Sequence, residues 1–251
     1  MTTARRAELT RAKFDAAYER FIRTAGFFEP DGYYDISRER YWLTLCYLAD
    51  VRLPRPAEIL EIGGGQMAIL ASKLFGDHGV VGDISENYRA PVDAADVPWE
   101  KINLMEDDPA AMKGRFDAIV LAEVIEHLPI PPYVILGKLR TWLKPDGVVF
   151  LTTPNLFRLR NLIRMAAGRD PFDRFILPRP DLGLGHQTEY SADHLGWQIR
   201  EAGFILERME HDQLGATGFS WKARLGRAML APLRLRAKWR EGLVAVGRNP
   251  A

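Results

Sequence analysis

Cysteine is nearly missing from this chain of 251 residues: Cys46 stands alone, so no intramolecular disulfide can form. Its setting, Trp42-Leu43-Thr44-Leu45-Cys46-Tyr47-Leu48, reads as a buried helix face, which argues against a reactive thiol. A single thiol fits a reducing compartment. No apolar run is long enough to cross a bilayer. The N-terminus is charged and periodic rather than a basic stub followed by an apolar stretch, so no secretory signal is expected and the expected location is the cytoplasm. The formal net charge is only +1, which disfavours a generic nucleic-acid binder. Internal repeats and low-complexity segments are also lacking. What remains is 47% hydrophobic and 27% charged, the composition of an ordinary globular chain long enough to bury a sizeable core.

The chain divides by pattern into an N-terminal helical cap over 1–54, a core over 55–212 carrying a lid-like insert at 156–187, and a basic C-terminal extension over 213–251. Helical periodicity runs from about Thr3 to Ala25, and Ser37 is a candidate cap for a second helix through Tyr41, Leu45 and Leu48. Beyond Pro56 strand and helix signals alternate. Strands are predicted at Glu58–Ile62, Val80–Asp83, Lys101–Leu104, Phe116–Ala122, Gly147–Thr152 and Phe204–Met209, and helices at Gln66–Phe75, Pro131–Leu143 and Ala192–Ala202. Two strands, Ala118-Ile119-Val120-Leu121 and Val148-Val149-Phe150-Leu151, are apolar throughout, as expected when helices cover both sheet faces. Alternating units imply a parallel sheet with right-handed crossovers, and Lys144-Pro145-Asp146-Gly147 reads as a turn.

The most informative stretch is Glu58-Ile59-Leu60-Glu61-Ile62-Gly63-Gly64-Gly65-Gln66, a strand end, a glycine turn and a helix start. Such a turn lets a nucleotide-type cofactor approach the backbone. Asp83 ends the next strand, where a carboxylate can accept from both ribose hydroxyls. A dehydrogenase would share these features. Glu61 separates the two readings: a carboxylate facing the cofactor repels a pyrophosphate but suits a ligand bearing ammonium and sulfonium groups.

The ordered segments LEIGGG, GDIS, FDAIVLAEVIEHL, LKPDGVVFLTTPN and EAGF, spanning roughly Glu58 to Met209, resemble the class I S-adenosylmethionine-dependent methyltransferases, and in motif the ubiquinone-pathway small-molecule O-methyltransferases. The resemblance implies a Rossmann-like, doubly wound α/β fold with a seven-stranded sheet whose last strand is antiparallel; Gly218–Arg224 is the candidate for that strand. It also implies S-adenosyl-L-methionine as cofactor, with Glu61, Gly63, Gly64 and Gly65 on its methionine side, Asp83 on its ribose, and Ile84, Asn103 and Leu104 by its adenine. The family often has Asp at the position of Asn103, and nearby Glu106 is an alternative for that role. Glu123 would face the transferred methyl, and Tyr34, with Tyr33, could close over the cofactor.

The implied reaction is in-line displacement at the methyl carbon, driven largely by positioning. For a hydroxyl acceptor, the candidate catalytic residues are His127, Glu126 and Glu123, with His127 as general base. If helical geometry begins near Glu123, then Glu123, Glu126 and His127 converge at i, i+3 and i+4, and His186 supplies a further ligand for Mg, Mn or Zn. The resemblance to ubiquinone-pathway and small-RNA 2′-O-methyltransferases carries the same implication.

The acceptor pocket is expected between the N-terminal helices and the insert. The expected partner is a small molecule, with no nucleic acid. The region 213–240 is rich in Arg and Lys and includes Trp221, Leu225 and Met229 at helical spacing, so peripheral membrane contact competes with simple docking on the core. Arg158, Arg160 and Arg164 form a second basic amphipathic piece. An NAD-dependent oxidoreductase and a catalytically inert scaffold remain as alternatives.

Overall fold

The computed structural model describes residues 3–29, 32–106, 108–172, 185–214, 232 and 235–251. Seven strands form one sheet: β1 (Glu58–Ile62), β2 (His78–Asp83), β3 (Trp99–Lys101), β4 (Phe116–Ala122), β5 (Leu143–Pro154), β6 (Ile205–Asp212) and β7 (Gly242–Arg248). Their order is β3-β2-β1-β4-β5-β7-β6. The pairs from β3 to β5 are parallel, and β7 is antiparallel to both neighbours. The direction of winding reverses between β1 and β4, so the crevice beyond their C-terminal ends is where such a sheet binds ligands.

Eight α-helices flank the sheet: α1 (Ala4–Glu8), α2 (Arg11–Tyr18), α3 (Tyr33–Asp50), α4 (Gln66–Phe75), α5 (Arg89–Ala94), α6 (Pro132–Trp142), α7 (Leu159–Ala166) and α8 (Ala192–Glu201), as counted among the described residues. Strand residues alternate between two cores. Ile59, Val81, Ala118, Val120 and Phe150 pack toward the N-terminal helices and α4. Leu60, Val80, Ile119, Leu121 and Leu151 pack toward α6 and α8. The period of two in a strand produces this split, and two covered faces explain the unbroken apolar runs.

Several expectations are corrected. The N-terminal helix is not continuous: Thr3 and Thr10 each accept a backbone N–H and start separate helices, and Glu19–Arg23 forms a π-helical turn. Helix α3 begins after Gly32, whose φ of 81° serves the turn, so Ser37 lies inside the helix rather than capping it. The third strand is Trp99–Lys101, not Lys101–Leu104. There Asn103 Oδ1 accepts from the Met105 N–H at 3.0 Å, which turns the chain off the sheet. The turn at Lys144–Gly147 persists as an irregularity inside β5, with Asp146 at φ 60° and a register shift opposite Phe116 and Ala118.

The antiparallel last strand is β7, Gly242–Arg248, wedged between β5 and β6. The candidate Gly218–Arg224 falls outside the described residues, as does most of 213–240. In the insert, α7 is helical, whereas Phe175, Pro178 and Pro180 lie outside the described residues. No described helix is long and apolar enough to cross a membrane.

The N-terminal cap is anchored by a buried ion pair. Arg5 donates to both Asp77 oxygens, at 3.0 and 2.6 Å, and Asp77 also accepts from the Ala57 N–H. The two side chains are 3% and 0% exposed. Removing one partner strands a charge in a dry site, which typically costs about 3–5 kcal/mol. Asp77→Ala should therefore lower urea-derived stability by about that amount. A loss below about 1 kcal/mol would show that the clamp carries no such role.

Candidate active site

One wall of the crevice beyond β1 and β4 is the β1–α4 turn. Gly63, Gly64 and Gly65 have φ of 84°, 62° and 97°. A Cβ on Gly65 would sit 2.7 Å from Val81 Cγ2, so both backbone conformation and space require glycine there. Two carboxylates fasten the turn. Glu61 Oε2 accepts from the Ala68 N–H at 2.7 Å, and Asp83 Oδ2 accepts from the Gly64 N–H at 3.0 Å. Asp83 Oδ1 also accepts from the Ser85 N–H at 2.7 Å. Burial raises the Asp83 carboxyl above its usual range, against these backbone donors.

Glu61 is 2% exposed. Burial pushes its carboxyl up to about 8, partly offset by backbone donors of α4 and reinforced by the Asp83 charge. The deep end of the crevice is lined by Arg40, Tyr41, Glu61, Gln66, Glu123 and Thr152. Arg40, from α3, donates to the Tyr33 hydroxyl and lies 4.0 Å from Glu123 Oε2. Sequence reasoning missed Arg40, because nothing in a helix pattern marks one arginine as facing a crevice across the chain. A half-buried cation across the crevice from a buried carboxyl suits a zwitterionic amino-acid group: ammonium toward Glu61, carboxylate toward Arg40.

The remaining predicted residues are distributed as follows. Tyr34 is buried; its hydroxyl accepts from Gln66 Nε2 at 3.1 Å, and its ring packs on Phe27 and Tyr41. Ile84 is half exposed beyond Asp83, where an adenine face could rest. Leu104 is buried, while Asn103 spends its carbonyl oxygen on the Met105 turn.

Glu123 has φ 58°, a left-handed conformation at the end of β4. The helical alignment of Glu123 with Glu126 and His127 is therefore absent. A 3₁₀ turn covers only Ile125–His127, and Glu123 points to the Arg40 end of the crevice instead. The three residues that do converge are Glu126, His127 and His186, whose ligand atoms lie within 4.8 Å of one another. The segment carrying His186 is held by backbone bonds: the N–H groups of Gln187 and Thr188 both donate to the Glu126 carbonyl, at 2.7 and 3.2 Å.

His127 Nδ1 lies 2.8 Å from the Gly185 carbonyl oxygen. A carbonyl only accepts, so Nδ1 carries the proton and Nε2 of the neutral ring is left with a lone pair. That Nε2 lies 3.9 Å from Glu126 Oε1. Burial lowers the His127 pKa, with a smaller contribution from His186, which favours the neutral ring. Glu126 is fully buried; its carboxyl is raised well above the ordinary range by burial first and by the Glu123 charge second. Glu126 Oε2 accepts from the Thr153 hydroxyl at 3.0 Å, whereas Oε1 has no partner.

Arg158 turns inward to pair with Glu189 and is 5% exposed, so it does not join Arg160 and Arg164 on a basic surface.

The comparisons with known proteins agree with this geometry. The family described as a methyltransferase domain matches residues 34–208. The chain belongs to that family. The ubiquinone biosynthesis O-methyltransferase of Xanthomonas axonopodis pv. citri is 31% identical over 109 residues, 43% of each chain. The chain spans less than half the length of the curated relatives it matches. Among solved structures, an S-adenosylmethionine-dependent methyltransferase from Mesorhizobium loti superposes with TM-score 0.57 at 17% identity, over 83% of this chain and 97% of the other. The 1,6-didemethyltoxoflavin-N1-methyltransferase of Burkholderia thailandensis, solved with S-adenosylhomocysteine, gives TM-score 0.54 at 17% identity, over 98% and 87%. The fold is thus that of the S-adenosylmethionine-dependent methyltransferases.

The raised Glu61 carboxyl has a signed consequence. Without ligand, the neutral acid persists up to about pH 8, so stability contributed below the unfolded value of 4.5 is lost as pH rises through the folded value. An ammonium placed beside Glu61 favours the carboxylate, so binding below about pH 8 releases a proton. S-adenosylhomocysteine affinity should rise by up to about tenfold per pH unit below about pH 8 and then level off. Calorimetric titration across that range checks it. An affinity independent of pH there would contradict a buried acid at this position, with Asp83, Arg40 and Glu123 as its charged neighbours.

Proposed function

We propose that this chain transfers a methyl group from S-adenosylmethionine to a hydroxyl oxygen of a small-molecule acceptor in a biosynthetic pathway. The observation that carries the oxygen assignment is the His127 ring, fixed by Gly185 with its Nε2 lone pair turned into a partly open centre. A neutral imidazole in that state can take the proton of an attacking hydroxyl. The curated relatives named as O-methyltransferases support the same reading.

The cofactor supplies the electrophilic methyl carbon. The chain's residues would hold it: Glu61 and Arg40 would pair with the two charges of the amino-acid end, Asp83 would accept from the ribose, and Ile84, Asn103 and Leu104 would border the adenine. Glu123 lines the end of the crevice nearest the methyl. Its left-handed backbone takes it out of helical alignment with Glu126 and His127. Such strained positions concentrate at functional sites. Catalysis by positioning would then rest on holding the acceptor hydroxyl where His127 Nε2 can take its proton as the methyl group is transferred.

A second reading assigns a divalent cation to the same centre. The residues fit one: a fully buried carboxylate oxygen without a partner, beside two imidazoles. One carboxylate and two imidazoles suit Zn or Mn. Glu126, His127 and His186 would hold the ion, which would lower the pKa of the acceptor hydroxyl. Glu123, assigned to the same ligand set by its sequence spacing, stands apart from the three. The acceptor is a small molecule on this proposal, and the location is cytoplasmic; peripheral membrane contact through 213–240 is a separate possibility carried by composition alone.

A panel of phenolic and aliphatic alcohol acceptors, read by S-adenosylhomocysteine release, tests the proposal. His127→Ala should lower turnover by about 10²–10⁴-fold on a hydroxyl acceptor. Unchanged turnover would remove His127 as base and as ligand. Turnover that survives complete chelation but collapses in His127→Ala favours the base; loss on chelation with recovery on adding Mn or Zn favours the cation.

A further inference from the structure

Each of the three converging side chains has a polar atom that meets a group outside the centre. For His127 that atom is Nδ1, on the Gly185 carbonyl. For Glu126 it is Oε2, which accepts from Thr153 Oγ1 at 3.0 Å; both residues are 0% exposed. For His186 it is Nδ1, which faces Glu189 Oε1 at 3.8 Å, an electrostatic contact longer than a hydrogen bond.

Glu189 is itself immobilised. It pairs with the buried guanidinium of Arg158, and its Oε2 accepts from Asn161 Nδ2 at 2.7 Å. Arg158 Nε in turn donates to Asn161 Oδ1 at 3.4 Å. This closed network sits at the start of α7, in the insert, and ends on the histidine. A buried ionic network is weak support for stability, because desolvation offsets most of the attraction. Its placement behind His186 therefore needs another explanation.

We propose that Thr153 and Glu189 are positioning residues of the Glu126–His127–His186 centre. Thr153 fixes the Glu126 carboxylate so that Oε1 faces inward. The Glu189 charge, 3.8 Å from His186 Nδ1, favours the proton on Nδ1 and so leaves Nε2 as the ligand atom. This rests on the reading of that centre as a cation site. Partners of this kind orient ligands and fix imidazole tautomers, and losing one commonly costs 10- to 100-fold in metal affinity.

The test is binding of Mn²⁺ to the full chain, followed by calorimetry and by the electron paramagnetic resonance signal of free Mn²⁺. Thr153→Val keeps the β-branched shape but removes the donor, and Glu189→Gln keeps hydrogen-bonding capacity for Arg158 and Asn161 but removes the charge. Each should weaken Mn²⁺ binding by about 10- to 100-fold, and Thr153→Ser should restore binding. Thermal melting should stay close to wild type for Thr153→Val, whereas Glu189→Gln leaves the buried Arg158 charge unpaired and lowers it. Arg158→Gln, which breaks the same pair but keeps the Glu189 carboxylate beside His186, is its control. If either variant binds within about twofold of wild type, the assignment of that residue is overturned. If Thr153→Val unfolds, the Thr153→Ser variant and a Thr153→Ala variant decide: equal binding by both overturns the role of the hydroxyl. A wild-type chain that binds neither Mn²⁺ nor Zn²⁺ overturns the cation reading itself, and this proposal with it.

Discussion

The contact between the Glu61 carboxylate and the Ala68 N–H joins the end of β1 to the first turn of α4 across three glycines in left-handed conformation. Glycines alone would leave that turn loose, since they lose the most conformational freedom on folding. The carboxylate answers one of the donors that every helix start leaves open. The Asp83 bond to the Gly64 N–H ties the turn to β2 in the same way. The shape of this crevice depends on these two acids holding the backbone while staying buried. Their burial has a cost, seen in the raised carboxyls, and a cationic ligand offsets it.

The same feature decides the type of cofactor. Helix N-termini after glycine turns commonly receive phosphates. Here the donor is already taken by Glu61, and a buried acid offers a second anion no counter-charge, whereas an ammonium draws it into the carboxylate form. Arg40 lies at the far side of the same small space, so the site has separate places for a positive and a negative group. A free amino-acid end fits that division, and a pyrophosphate does not.

Much of the fold was legible in the sequence because its signals were local. The β1 and β4 bounds and the α4 bounds follow directly from apolar runs ended by glycine or acid. Glu61, Asp83 and the Glu126–His127 pair could be picked out because each ends a strand or opens a turn. The seventh strand was not legible: Gly242-Leu243-Val244-Ala245-Val246 is short and far from the rest of the motifs, and its place between β5 and β6 is a long-range pairing. Helical spacing misled at Glu123, where one left-handed residue breaks the alignment that counting suggests. Arg40 and Glu189 were invisible for a different reason. Their roles arise from what lies across from them in space, not from any pattern around them.

The central claim is that this crevice recognises a zwitterionic sulfonium-type nucleoside rather than a dinucleotide. Side-by-side calorimetric titration of the purified chain with S-adenosylhomocysteine and with NADH tests it most directly. One equivalent of S-adenosylhomocysteine should bind, and NADH should give no saturable heat. Saturable binding of NADH, with none for S-adenosylhomocysteine, would contradict the role assigned to Glu61.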